Sequence, residues 1–437
     1  MDFFRFKWLL ILEALFAGAY IALTRGLFII YLSFLEYRVE EISLVLFVAA
    51  AVSLLISILL YKHLSFVVNK VKLKLTIFYV LERIVWLLMP FATNSLLVIG
   101  LFTIFTLLSS LIGIFLVFAI YGSLTETDVR EVTAKRTALS GLSSVLGFGM
   151  GVFLLAFLPE ETKFLAIFFL GSVIGLLSTF LILSLDLSNL EGSLHPQVVE
   201  KPEKIFSTSA YVVVLMASGS LVDIAWVPYV MNQLIGPDWL AASMSLAGTS
   251  ASILASLLWR KSTFKTLGVA LALNALTPIL IMWIPWPELH VGINAFASFS
   301  FTGANFIGVF LFARYTKWFG AAKSSILLII LGNTAMLIAT PLGMISMGNY
   351  FVVFLMVFAI RIASVGLAFL TIPEVAVVPE DVASTYSQIL YTTSISGYRI
   401  SVHFSKETIL TTLKLLGFSI ILVALYVIYR TLWVLVM

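Results

Sequence analysis

The chain has 437 residues, of which 61% are hydrophobic and 11% charged, with a mean hydropathy of +1.11. A soluble globular domain carries about a quarter charged residues, so this composition excludes one and points to an all-α polytopic membrane protein. The net charge of +4 calls for no nucleic-acid partner, and the absence of cysteine excludes disulfides and thiolate metal sites, while four scattered histidines make no metal site either.

Fourteen apolar runs are of the length that crosses a hydrocarbon core as a helix. They cover roughly 8–34, 42–60, 75–90, 95–121, 138–158, 163–185, 207–233, 239–258, 266–285, 290–313, 324–346, 350–372, 383–403 and 411–435. The first, behind Arg5 and Lys7, is too long for a signal-peptide core and has no small-residue cleavage site, so it reads as a retained helix. With the N-terminus inside, seventeen Lys and Arg residues fall on inside segments, and only Arg38, Lys163 and Lys406 fall outside. The positive excess predicts cytoplasmic termini, an even number of spans and a multi-pass protein of the cytoplasmic membrane, surrounded by lipid and monomeric.

The first span carries Glu13 near its inner end, Tyr20 in the middle and Arg25 in its outer half. At 1.5 Å per residue, Arg25 lies about 25 Å from the inner end, where it either snorkels outward or faces a water-filled cavity. The loop after the second span, KHLSFVVNKVKLK, resembles the helix 2–3 loop of the major facilitator superfamily, G-x-x-x-D-R/K-x-G-R/K-R/K. Ser65, Asn69, Lys70 and Lys74 fall at its first, fifth, sixth and tenth positions. Lys70 and Lys74 match basic positions, whereas Ser65, Asn69 and Lys72 stand in place of Gly, Asp and Gly. The resemblance gives Asn69 and Lys70 a gating place.

The third span holds Glu82 beside Arg83 near mid-membrane. Adjacent helical residues point about 100° apart, so each is expected to find a partner on another helix, as a structural ion pair or as a proton-coupling site. The fourth span offers Ser109, Ser110 and Tyr121 and lacks the arginine of many proton-coupled superfamily members. Residues 122–136 read as a charged loop similar to the one before helix five of that superfamily, followed by a helix in which Gly147 and Gly151 form an i, i+4 row open to close approach by another helix.

A polar, proline-containing linker over 186–206 separates a first six-helix bundle, 1–185, from eight further spans. Offsets of 249 to 251 lay Lys74 on Lys323, Pro90 on Pro341, Glu82 on Asn333 and Gly147 on Gly397. In that register 207–258 is an inserted hairpin and 259–437 is the second bundle, a 6+2+6 arrangement as in fourteen-helix branches of the superfamily. A rival register starts the second half at 207, because Gly219–Leu246 also resembles the first helix pair. Asp223 is a cavity residue in the rival register and a lone peripheral acid in the first.

The resemblance implies a secondary transporter, an antiporter or symporter, in which the first, fourth, seventh and tenth helices line a central cavity. Arg25 and Tyr20 would then face Asn274, Arg361 and Ser364 across it, and two guanidiniums from opposite halves suit an organic or phosphorylated anion. Arg361 has Glu82 as an alternative partner at similar depth. Proton coupling falls to Glu82 first, then to Asp223 and Glu13. No phosphate-cradling glycine loop and no carboxylate cluster is present, so neither ATP-driven transport nor an enzyme is expected, and no cofactor. The alternatives are a lipid-linked polysaccharide flippase and a multidrug efflux transporter.

Overall fold

The computed structural model describes residues 3–187 and 205–372, apart from 93, 125, 260, 261 and 347. The chain divides into two compact units, Met1–Leu367 and Ala368–Met437, and the packing and cavity described below belong to the first. The expected spans 383–403 and 411–435, the glycine Gly397 and most of the linker lie outside the described residues.

The first expected span is α1 (Phe3–Leu23), a 3₁₀ turn over Arg25–Leu27 and α2 (Phe28–Phe34). Then come α3 (Val39–Lys62), the short α4 (Ser65–Val68), α5 (Val71–Leu88), α6 (Ser95–Ser123), α7 (Glu126–Phe157) and α8 (Lys163–Leu183). After the linker follow α9 (Ile205–Pro228) with a π-helical turn at Tyr229–Gln233, α10 (Asp238–Trp259), α11 (Phe264–Trp283), α12 (Leu289–Ile345) and α13 (Tyr350–Thr371). Ten stretches among the described residues are long and apolar enough to cross a membrane. The fold is helical throughout the described residues, and α5 and the first arm of α12 bring the count of candidate spans to twelve.

Two boundaries differ from expectation. The charged stretch read as a loop over 122–136 is helical from Glu126, because Asp128 and Arg136 pair with Lys7 and Glu13 of α1 and so give a polar first turn a packed face. Residues 314–323, expected as a loop, carry helical backbone within α12 (Leu289–Ile345), yet the chain reverses between residues 308 and 323. The ends of α12 both meet the outer part of α9, His290 through Trp226 and Gly343 beside Ile224. The arms 289–308 and 323–345 are therefore two antiparallel spans.

The helices fall into two sets. In one, α1 packs on α7 and α8, α5 on α6 and α8, and α3 on α6; in the other, α12 packs on α9, α10 and α11. The sets meet along α3 with α12 and along α7 with α10. At the end remote from the N-terminus, the far side, one apolar core takes in residues of both sets, including Phe28, Trp86, Phe168, Trp226, Ala241 and Phe354. At the near side a second core is built from α1, α3 to α8, with Ile326 of α12 as its one member from the other set among the described residues. Among the described residues, the far-side core thus closes across the two sets.

Close approach depends on small residues. A Cβ on Gly147 would stand 2.8 Å from the Ala22 Cβ and 2.9 Å from the Ala19 carbonyl oxygen of α1, and one on Gly151 would stand 2.7 Å from Leu27. The expected glycine row is the surface on which α1 lies. Gly149, between them, faces open space. Gly147→Val should therefore lower the thermal midpoint of the purified protein by several degrees, a loss of about 1–3 kcal/mol from overpacking. Gly149→Val should leave it within a degree or so, apart from the small propensity difference.

Candidate functional site: a central cavity

The first membrane helix breaks at Thr24, whose backbone leaves the helical region at φ −105° and ψ −89° and whose hydroxyl donates to the Tyr20 carbonyl at 2.7 Å. Arg25 opens the 3₁₀ turn that follows. On the other set, Pro228 offers no N–H to the preceding turn, and the helix continues as one π-helical turn. Asp223 stands just before that break. Interrupted helices at mid-membrane are tolerated where they line a cavity, and the first interruption does, through Arg25 and Gly26.

The cavity has a volume of about 830 Å³ and lies between the two sets, walled by residues of α1 to α3, α6, α7, α9, α10 and both arms of α12. Arg25 and Asp223 both line it, and both side chains are open although they sit deep in the fold. The surface they expose is the cavity wall. Polar groups around them come from Thr106, Ser109, Ser245, Thr249, Asn294 and Ser298. An aromatic side is made by Phe28, Phe102, Phe105, Phe148 and Trp226, with Phe28 and Phe102 stacked at a centroid distance of 4.3 Å. Asn333 donates to Ser53 Oγ at 2.8 Å, and Ser53 shares a hydrogen bond of 2.7 Å with Ser110, which ties α12, α3 and α6 together at the wall.

Arg361 does not join this wall. It is buried, and its Nη1 donates to the Asn274 carbonyl oxygen at 2.6 Å. The reason lies in α11: Pro278, four residues on, has no N–H for that carbonyl, and the guanidinium replaces the missing donor. The Asn274 side chain donates to the Ala297 carbonyl and to Ser300 Oγ, both at 3.2 Å, and Ser364 donates to the Arg361 carbonyl at 2.8 Å. Asn274 and Arg361 thus bind α11, α12 and α13 to one another, and the Ser364 bond lies within α13. The Asp223 carboxylate, on the wall, lies in the field of Arg361 as well as of Arg25. The expected pair of guanidiniums facing one another across the cavity is therefore replaced by one guanidinium and one carboxylate.

Tyr20 also points away from the cavity. The Arg83 guanidinium stacks 4.2 Å over its ring and 4.5 Å over that of Tyr79. Arg83 donates to the Gly175 carbonyl at 3.3 Å and to Ser178 at 3.1 Å, and its other terminal nitrogen pairs with Glu82. Arg83 thus finds the expected partners on other helices, whereas the expectation is corrected for Glu82, whose ion-pair partner is its own neighbour because the long arginine stem bends back to it. The alternative pairing of Glu82 with Arg361 gives way to this one. Glu13 accepts from Tyr79 at 2.7 Å and pairs with Arg136 at 2.7 Å. Asn69 and Lys70 form the exposed near-side turn between α4 and α5, Lys70 in the left-handed region at φ 51°.

One far-side contact was not singled out from the sequence. Lys163, at the start of α8, pairs with Asp238, at the start of α10, and lies 4.1 Å over the Phe34 ring. Both partners are nearly buried, so the pair spans the two sets where the far-side core closes.

Replacing Arg361 by Leu leaves the Asn274 carbonyl without a donor in the core of the second set. A loss of about 1.5–3 kcal/mol is expected, seen as a clear drop in thermal midpoint, whereas Arg25→Leu should leave the midpoint unchanged because its side chain is open to the cavity.

No protein-family model matches the sequence, and a search of curated proteins returns no match. Among solved structures the chain is similar to the nucleoside transporter NupG, with a TM-score of 0.58 at 12% identity over 84% of this chain and 98% of that one. A mutant form of the same transporter gives a TM-score of 0.57 at 12% identity over 83% and 98%. The likeness is one of fold.

Proposed function

We propose that this chain is a secondary transporter that carries a small, uncharged, polar solute bearing an aromatic ring, of the nucleoside kind, across the cytoplasmic membrane by alternating access. The observation that carries the reading is the cavity itself. It lies between two helix sets, and its wall combines one guanidinium, one carboxylate, hydroxyl and amide groups, and an aromatic side. Asp223 opposite Arg25 cancels the positive charge that an organic or phosphorylated anion would need, and the mixed donors and acceptors suit sugar hydroxyls and a heterocycle. The likeness in fold to a nucleoside transporter points the same way.

The near side is the cytoplasmic one, since it carries the Lys and Arg excess. The sealed far side, with its Lys163–Asp238 pair, makes the described conformation one that is closed to the outside. In the reverse step of the cycle that pair and the surrounding apolar contacts separate. Coupling falls to Asp223, which alone among the buried-depth carboxylates named here faces the cavity, while Glu82 and Glu13 are held by Arg83 and Arg136. The packing of α9 on α2 and α3 and of α10 on α7 supports the register in which the second half begins at α9, in place of an inserted hairpin over 207–258. The matched share of the chain, 84% or about 367 residues, has the length of the first compact unit. The last two apolar runs then follow a twelve-helix core.

Uptake of radiolabelled uridine into proteoliposomes is the test. Saturable uptake is expected, with no uptake of uridine monophosphate, and Arg25→Ala and Asp223→Asn should each reduce it at least about tenfold with an unchanged thermal midpoint, the loss of one charged hydrogen bond. Preference for the phosphorylated compound would return the site to an anion, and full uptake by both variants would remove the cavity pair from the mechanism.

A further inference from the structure

His290 lies in the first turn of α12, fully buried, and both ring nitrogens are engaged. Nδ1 accepts the indole N–H of Trp226 at 2.9 Å, and Nε2 lies 2.9 Å from the Ile284 carbonyl oxygen. An acceptor at Nδ1 and a carbonyl at Nε2 together fix the neutral tautomer that carries its proton on Nε2. The ring is caged as well: Tyr229 meets it edge-on at 5.8 Å, and Phe354 backs Tyr229 at 5.3 Å. Ile284 ends α11, and Pro285 and Pro287 stiffen the connection that follows, so His290 is held from two elements at once.

Trp226 is a wall of the cavity and three residues beyond Asp223, so indole and carboxylate share one face of α9. Its ring is 3% exposed and meets His290 at 73°. A buried tryptophan whose N–H is captured has one orientation; without that partner it has several rotamers and an unsatisfied donor.

We propose that His290 is a positioning residue for the cavity: by accepting the Trp226 N–H it sets the angle at which the indole meets the solute, and so sets affinity without touching the solute. This rests on the reading of the cavity as the solute site.

The experiment compares uridine uptake by His290→Leu, His290→Asn, His290→Gln and Trp226→Phe proteoliposomes. Asparagine places its amide oxygen where Nδ1 stood and keeps the bond to Trp226; glutamine reaches toward Ile284 instead. His290→Leu and Trp226→Phe should raise KM about tenfold, the worth of one buried hydrogen bond, with the maximal rate little changed, and the double variant should be no worse than either. His290→Asn should restore the wild-type KM and His290→Gln should not. A wild-type KM in His290→Leu, or rescue by Gln and not Asn, overturns the proposal, the latter because His290 would then serve only the Ile284 connection. If His290→Leu fails to fold, the Asn and Gln variants against Trp226→Phe carry the same decision. Ultraviolet resonance Raman spectra of the solute-free protein keep this separate from the transport reading. The indole N–H band lost in Trp226→Phe should shift in His290→Gln and stay in His290→Asn. Wild-type protein that takes up no nucleoside would overturn the proposed function, while an unshifted band in His290→Gln would overturn the role of His290.

Discussion

A charge placed at membrane depth must meet an opposite charge, a full set of hydrogen bonds or water, because the hydrocarbon core supplies none of these. The structure meets that constraint differently at each site. Glu82 and Arg83 close on one another inside the first helix set, with Tyr20 and Tyr79 as rings for the guanidinium. Glu13 meets Arg136 and Tyr79. Arg361 fills the gap that Pro278 leaves in α11. Lys163 and Asp238 join the two sets at the far side. Arg25 and Asp223 instead face the open cavity.

The positions of those two residues follow from backbone breaks. A straight helix through Arg25 would turn successive side chains in a regular spiral. The break at Thr24 and the 3₁₀ turn instead present the guanidinium inward, while Gly26 allows the Phe148 ring to approach. On α9, Pro228 and the π turn loosen the helix beyond Asp223 and Trp226. Each set thus contributes one charge to the cavity wall from a helix that is interrupted nearby. That pseudo-symmetry is expected of a fold built from repeats.

Much of the fold was legible in the sequence because hydrocarbon thickness imposes a length and an apolar composition that single residues cannot hide. The spans up to 372 and the depth of Arg25 were read from spacing alone. Less legible were the contacts made between residues far apart in sequence. Nothing in the pattern around Lys163 and Asp238 marks them as partners, and His290 was one of four scattered histidines until α9 placed Trp226 against it. Arg361 was misplaced because depth suggested the cavity, yet the sequence held the clue: Pro278 frees the carbonyl four residues earlier, at Asn274, and a freed carbonyl in a core attracts a donor. Asp223 was legible as an acid at depth, and only helix packing decided between the cavity and the periphery.

The account stands on Arg25 and Asp223 facing a water-filled cavity while residues at the same depth do not. The sequence has no cysteine, so single cysteines at positions 25, 223, 178 and 364 can be probed one at a time with a hydrophilic maleimide in detergent. Cysteines at 25 and 223 should react readily, and those at 178 and 364, buried in the helix sets, should not react. Unreactive cysteines at 25 and 223, or reactivity at all four positions alike, would contradict the cavity on which the rest depends.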